Sequence, residues 1–321
     1  MSLKTNIKNT IADYKRFRKD QRKFGNDKVR YYNFWALPNS DACWFTQFLK
    51  HKNTIPDGRK INFLSVVGNP KISYFIRSPK IFFTGENIDN ADHPSYLFKK
   101  YHLKNHDLSL GFSFLDDEKY LRFPLWILYM IPANASFEDI KTLINSYNNP
   151  NHRLNKNRQN FCSNISRADN NGIRKTIIDL LNPIETVKCA GSFLKNTNDL
   201  QEKFGDDKIE YLKTFKFNIC PENSNTNGYV TEKLFEAIIS GSIPIYWGSD
   251  NKPDPKIINQ DAVLFFDPEN PQVLFDKVNL LWNDEKAYEE FCQIKPFTEN
   301  AAEEIWNKLS DLETKTKALI K

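Results

Sequence analysis

The sequence predicts an α/β protein of two domains, each built on a mostly parallel sheet, with a helix at the C-terminal end. Three observations lead there. Short apolar strands alternate with helix-length segments along most of the chain, the pattern of a parallel sheet. The 321 residues suffice for two domains of ordinary size, and a polar interval at 148–159 (NNPNHRLNKNRQ) divides them into 1–150 and 151–321. Finally, residues 215–250 read as a complete strand–loop–helix–strand crossover, which implies a cleft at the C-terminal ends of the strands. The expectation is two domains of similar size facing each other across that cleft.

Taken in order, residues 4–24 place Ile7, Ile11, Tyr14, Phe17 and Phe24 at roughly helical spacing among Lys15, Arg16, Arg18, Lys19, Arg22 and Lys23. A basic amphipathic helix of this kind lies on an anionic membrane surface or docks on its own domain. Strands follow at 29–35, 60–67, 80–83 and 107–114, with a helix at 41–51, an apolar run at 124–130 and a helix at 137–147. Beyond the polar interval come a strand at 161–165, a helix at 172–181, a strand at 185–189 and a helix at 198–204. In the crossover, Phe215–Ile219 is a strand, 221–228 an Asn-rich loop, 231–240 a helix and 242–247 the next strand. Thr231 is placed to cap that helix, Glu232 sits in its first turn, and Gly241 ends it in the left-handed conformation. A strand at 262–266 and helices at 271–283, 285–294 and 303–320 complete the chain, the last with Ile305, Leu309, Leu312 and Leu319 on one face.

Composition narrows the function. Forty per cent hydrophobic and 14% aromatic residues belong to a packed globular protein, not a disordered one. Residues 1–30 carry ten Lys or Arg against three Asp; the rest of the chain carries 35 basic against 37 acidic residues. A nearly neutral body argues against nucleic acid as the main partner. The five cysteines, at 43, 162, 189, 220 and 292, form no CxxC pair, so neither zinc nor a disulfide framework is signalled. No apolar run reaches the roughly 18 residues of a spanning helix, and no secretory leader is legible. The expected location is cytoplasmic, peripheral at the inner membrane if residues 1–28 bind it.

Several residues have chemistry-bearing positions. Glu86 follows a short apolar strand through Thr84-Gly85, which puts its carboxylate on a rim of the sheet, where it could take a proton from a hydroxyl or simply be a surface turn residue. Arg174, early in its helix, suits paired hydrogen bonds to a diphosphate, although most helix arginines are solvated. Lys233 shares a helix's first turn with an Asn-rich loop, where free N–H groups favour an anion. Glu232 beside it fits a sugar's hydroxyls or developing positive charge better than a phosphate. No metal-ligand spacing and no Ser/His/Asp arrangement stands out, so no catalytic metal is expected.

At these residues the sequence resembles glycosyltransferase family 10, the α-1,3/4-fucosyltransferases, most closely its bacterial lipopolysaccharide-modifying members. The resemblance is carried by Phe215-Lys216-Phe217, Glu222-Asn223-Ser224, Gly228-Tyr229-Val230-Thr231-Glu232-Lys233-Leu234 and Ile243-Pro244-Ile245-Tyr246-Trp247-Gly248. It extends upstream to Thr84-Gly85-Glu86-Asn87, Tyr120-Leu121-Arg122-Phe123-Pro124-Leu125 and Gly172-Ile173-Arg174. It implies a GT-B fold of two Rossmann-like domains, acceptor-binding first and GDP-fucose-binding second. It also implies inverting transfer of fucose to a GlcNAc hydroxyl of an N-acetyllactosamine-type β-galactosyl-GlcNAc glycan, giving a Lewis x-like product on lipopolysaccharide O-antigen. Glu86 matches the family's general base. Arg174, Asn223, Tyr229, Glu232 and Lys233 match its GDP-fucose contacts, and Ser166 falls near the nucleoside. GDP-fucose is then the donor substrate, with no cofactor required and divalent metal at most a stimulant. Pro221 departs from the pattern, standing where many members carry an aromatic residue. The alternatives are type 1 acceptors, another nucleotide-sugar donor, or a glycan- or nucleotide-binding protein without catalysis.

Overall fold

The computed structural model describes residues 3–55, 58–77 and 79–320, with side chains from residue 11 onward. Packing divides the chain into two compact units, Met1–Ala135 with Asn307–Lys321, and Ser136–Trp306.

The first unit holds a five-stranded sheet in which every pair is parallel: β1 (Val29–Tyr32), β2 (Ile61–Leu64), β3 (Lys80–Phe83), β4 (Leu108–Gly111) and β5 (Tyr120–Arg122), in that spatial order. Strands covered on both faces are buried without alternation, as Ile61–Leu64 and Ile81 to Phe83 are, the buried Asn62 amide being satisfied by the carbonyls of Arg77 and Pro79. One face is an aromatic core. The Phe45 ring, from the helix Trp44–His51, stacks on Phe63 at 4.8 Å and meets Phe83 edge-on at 5.0 Å. That helix was expected from residue 41; Ser40–Ala42 is instead a 3₁₀ turn, capped by Asn39, and extended Cys43 separates the two. β5 was not expected as a strand, being three residues behind a charged loop. The run 124–130 contains a helix, Trp126–Met130; a short apolar run carries no period that separates helix from strand.

The N-terminal helix, Leu3–Phe24, is docked on this unit. Phe17 stacks on Tyr32 at 5.7 Å, Phe24 meets Tyr31 edge-on at 5.8 Å, and the Asn33 N–H donates to Asp20 Oδ2 at 3.3 Å. The docked-helix alternative therefore holds for this part of the apolar stripe. Ile11 and Tyr14 stay half exposed, and Ile7 lies outside the described side chains. The C-terminal helix, Ala301–Ile320, buries Ile305, Leu309, Leu312 and Thr316; Leu319 does not join that stripe fully.

The second unit holds β6 (Asn160–Asn164), β7 (Lys188–Cys189), β8 (Phe215–Ile219), β9 (Ile243–Tyr246) and β10 (Leu264–Phe265), again all parallel, in the order β10-β9-β8-β6-β7. From β6 the chain first adds a strand on one side and then returns to add three on the other. The order thus reverses between β6 and β8, and ligands of such sheets bind at the carboxyl ends beside that reversal. The helices Ile173–Leu181 and Glu232–Ser240 follow β6 and β8, so both begin at this crevice.

The polar interval at 148–159 lies inside this unit and not between the two. It contains a helical turn, Pro150–Arg153, and buries two arginines. Arg158 donates to the carbonyls of Phe215 at 2.8 Å and Ser240 at 2.6 Å and to Ser242 Oγ at 3.3 Å. It thereby satisfies the start of β8 and the end of the helix that follows. A polar run in a sequence looks solvated; the carbonyls of Phe215 and Ser240 that Arg158 bonds are more than fifty residues away. At the unit's other margin, the rings of Phe137 and Trp306 stand 6.1 Å apart, so the chain enters and leaves the unit at neighbouring points. The five cysteines are free and buried.

Replacing Arg158 with Met removes the guanidinium bond from both carbonyls, leaving Phe215 O with only the Ser242 hydroxyl at 3.1 Å. Urea unfolding of Arg158→Met is expected to show a loss of about 3 kcal/mol, the size of a charged hydrogen-bond set and its unsatisfied acceptors. An unchanged midpoint would show that the guanidinium carries no such weight.

Candidate active site

At the crevice of the second unit, two loops meet: 165–172 after β6 and 220–231 after β8. Gly172, with φ +78°, turns the first loop into its helix, and Asp169 accepts from the N–H groups of Arg174 at 3.3 Å and Lys175 at 2.9 Å. Arg174 is buried, and burial lowers its pKa from the ordinary arginine value, opposed by the Asp169 carboxylate 3.9 Å from Nη1. Its Nη2 donates across to the second loop, to Asn223 Oδ1 at 2.9 Å and Pro221 O at 3.0 Å. Asn171 Nδ2 adds a bond to Asn223 O at 3.2 Å. Arg174 and Asn223, 49 residues apart, are thus one unit of structure.

The second loop is held from beneath by Glu222, which is fully buried. Its Oε1 accepts the Thr231 N–H at 2.7 Å, and its Oε2 accepts the Thr231 hydroxyl at 2.8 Å. Lys233 Nζ reaches Oε2 at 3.3 Å and donates to Thr231 Oγ1 at 2.8 Å; the Tyr246 hydroxyl approaches Oε1 at 3.4 Å. Thr231 stands at the N-cap position but makes no side-chain cap, because its hydroxyl is committed to Glu222; this corrects the expectation from sequence. Gly248, at φ +137°, lets the end of β9 lie against Glu222: an added Cβ would fall 2.8 Å from that side chain's Cβ and Cγ. Gly241 ends the helix at φ +80°, as expected.

Burial raises the Glu222 pKa, offset in part by Lys233. For Lys233 burial pulls downward, but the carboxylates of Glu222 and of Glu232, 3.7 Å away, outweigh it and the pKa is raised. The ammonium is therefore a held charge, partly open to solvent, at the entrance of the helix Glu232–Ser240. Tyr229, in the same loop, is buried behind Gly228, whose N–H donates to Ser249 Oγ at 3.1 Å.

Ser166 lies at the other end of the 165–172 loop. Its hydroxyl donates to Asn164 Oδ1 at 2.6 Å, and it lines a cavity of about 460 Å³ with Ile165, Arg167, Gly191, Ser192 and Lys195. That volume lies in the range of small-molecule sites. Among the described residues no group of three or more His, Cys, Asp or Glu is arranged to hold a metal ion.

Glu86 belongs to the first unit. It follows β3 in a turn closed by the buried Thr84, whose hydroxyl accepts the Glu86 N–H at 3.0 Å and donates to Glu86 O at 2.7 Å. The turn directs the carboxylate off the strand end, 47% exposed and 3.9 Å from His93 Nε2.

The structure therefore joins Arg174 to Asn223, sets Glu232 and Lys233 in one helical turn, buries Tyr229, puts Ser166 in a cavity along the same sheet edge, and places Glu86 on the other sheet. Glu222 was quoted from the sequence only as part of a motif. A lone carboxylate between Cys220-Pro221 and an Asn-rich loop was the available sign of its burial.

Two Rossmann-like parallel units, the second with basic groups and a helix N-terminus at its switch point, define the GT-B class of sugar-nucleotide transferases. Within that class the chain belongs to glycosyltransferase family 10, the fucosyltransferases. The family's C-terminal model matches residues 154–316, and the model of the α-(1,3)-fucosyltransferase FucT N-terminal domain matches 29–129. Among curated proteins, α-(1,3)-fucosyltransferase FucT of Helicobacter pylori is 33% identical over 213 residues, covering 57% of this chain and 41% of the relative. α-(1,3)-Fucosyltransferase B of Drosophila melanogaster is 34% identical over 118 residues, 34% of this chain and 26% of the relative. The matched segments thus span less than half the length of these relatives. A solved α1,3-fucosyltransferase superposes with a TM-score of 0.60 at 22% identity, covering 89% of each chain, and one with GDP-fucose gives 0.53 at 24%, covering 79% and 77%. The likeness to the solved structures establishes the shared fold.

Removing the Lys233 ammonium leaves Glu222 buried and unpaired, so Lys233→Met is expected to cost about 3 kcal/mol in urea unfolding. Because the Lys233 pKa is raised on folding, its contribution is complete below the ordinary value of 10.5 and is lost as the pH rises through the raised value. The Met variant should lack this alkaline loss; an identical alkaline limb in both proteins would exclude the pairing as its source.

Proposed function

We propose that the protein transfers fucose from GDP-fucose to a GlcNAc hydroxyl of an N-acetyllactosamine-type glycan, forming an α-1,3 linkage with inversion. The observation that carries this reading is the Arg174–Asn223 and Glu222–Lys233 framework at the switch point of a family 10 C-terminal domain. The second unit is the donor domain, with Ser166 on the wall of the nucleoside cavity. Arg174 and Lys233 place positive charge beside the diphosphate, and the helix N-terminus at Glu232 adds N–H dipoles. Asn223 and Tyr229 shape the loop that covers the donor, and the Glu232 carboxylate faces the fucose as its ring gains oxocarbenium character.

The first unit is the acceptor domain, and Glu86 is the base. The acceptor hydroxyl gives its proton to Glu86 while its oxygen attacks the anomeric carbon of fucose; the bond from that carbon to the β-phosphate oxygen breaks, and GDP leaves with the electron pair. Lys233 and Arg174 stabilise the charge that develops on the leaving phosphate. No step in this displacement calls on a metal bound by the protein's own side chains. The product is Lewis x-like, and the natural acceptor is lipopolysaccharide O-antigen handled at the cytoplasmic face of the inner membrane. Residues 1–28 would hold the protein there: Ile11 and Tyr14 are each 51% exposed, and Lys15, Arg18, Lys19, Arg22 and Lys23 are exposed around them. Among the described residues no helix is long and apolar enough to cross a membrane.

Glu86→Ala is expected to keep GDP-fucose affinity within about twofold and to lose about a thousandfold in transfer to N-acetyllactosamine, the weight of a general base. Turnover near the parent's would remove the base assignment, and equal use of UDP-sugars would remove the donor. Co-sedimentation with anionic liposomes, lost in an Ile11→Ser, Tyr14→Ser double variant, checks the membrane contact; unchanged binding counts against it.

A further inference from the structure

The loop after β3 contains a second ring of chemistry that the mechanism above does not use. His93 precedes the 3₁₀ turn Pro94–Phe98 as its N-cap, and its Nδ1 accepts the Ser95 N–H at 3.3 Å. A backbone N–H cannot reverse its role, so this bond makes Nδ1 an acceptor and leaves the proton of the neutral ring on Nε2. The Ser95 hydroxyl, with Oγ 2.7 Å from Nδ1 and 2.9 Å from Asn87 O, can turn its one proton to Nδ1, and its position ties the ring's support to the residue next to Glu86. Nε2 then faces the Glu86 carboxylate, with Oε2 at 3.9 Å. The carboxylate nearest in the loop's sequence, Asp89, is engaged elsewhere: it pairs with Lys99 at 3.0 Å and accepts the Ser113 hydroxyl at 3.1 Å.

We infer that His93 is a positioning residue for Glu86, donating Nε2–H to one carboxylate oxygen so that the other is aimed at the acceptor hydroxyl. The inference rests on the reading of Glu86 as the base. Both groups are partly exposed, His93 at 37% and Glu86 at 47%, so water surrounds the pair in the free protein. Closing the gap by about 1 Å when a sugar displaces that water brings it into hydrogen-bond range, as catalytic contacts tighten in the loaded site. The single carboxylate would then be fixed in angle as well as in place, which a base on an exposed loop otherwise lacks.

Two substitutions separate this role from helix capping. His93→Asn keeps an N-cap acceptor for the Ser95 N–H but falls short of Glu86; His93→Gln carries an amide N–H to the place of Nε2. Steady-state transfer from GDP-fucose to N-acetyllactosamine should show kcat reduced about tenfold in His93→Asn, the worth of one oriented hydrogen bond to a charged group. Both KM values and the thermal midpoint should be unchanged, and His93→Gln should recover most of kcat. Parent-like kcat in the Asn variant, a change confined to KM, or no recovery in the Gln variant would each overturn the assignment. Glu86→Gln, assayed alongside, tests the parent reading separately. An inactive Glu86→Gln with a parent-like His93→Asn removes only His93, whereas an active Glu86→Gln removes the base itself.

Discussion

The second unit depends on one buried carboxylate. Glu222 lies at the end of β8 with no exposure to water, and a charge in that position persists only if donors surround it. They come from three directions: Thr231 by both its N–H and its hydroxyl, Lys233 from the first turn of the next helix, and Tyr246 from the neighbouring strand β9. Satisfying Glu222 therefore draws the end of the Asn-rich loop and the start of the helix together. Gly248 leaves the room that this convergence needs. The orientation of Lys233 is a by-product of the same bonds, since an ammonium held by Glu222 and Thr231 cannot swing freely into solvent.

Arg174 completes the loop from the other side. It reaches across the crevice to Pro221 and Asn223, so the residues on both sides of Glu222 are fixed by a different strand's loop. Two loops that follow neighbouring parallel strands have become a single rigid wall. The first unit achieves order at Glu86 by shorter means, a hydroxyl of Thr84 folding back on the turn two residues later. A crevice wall built from long-range contacts and a turn closed within three residues differ accordingly in how much sequence each requires.

That difference sets what could be read before the structure. Lys80–Phe83, Phe137–Tyr147 and Phe215–Ile219 appear at the expected bounds because local signals mark both ends. Thr84-Gly85 stops the first, and the capping box of Ser136 and Asp139 starts the second. Thr231 went astray because capping is a local rule, and the hydroxyl answers to a carboxylate nine residues upstream. Arg158 was lost in a polar run because its acceptors lie at Phe215 and Ser240. β5 is three residues long and owes its strand geometry to pairing with β4. The candidate residues themselves were found through motif resemblance; their bonding to one another was not legible, since neither periodicity nor spacing encodes which buried donor meets which acceptor.

The neighbouring rings of Phe137 and Trp306 also bear on how such a chain can be altered. The second unit is inserted into the first, whose sequence resumes at Asn307, and the two crossing points of the chain lie side by side. An insert whose ends adjoin can be lifted out or exchanged without stretching its host's backbone, as tolerated domain insertions require. The second unit of a related chain could therefore be grafted at this seam, leaving the backbone of the first unit as it stands.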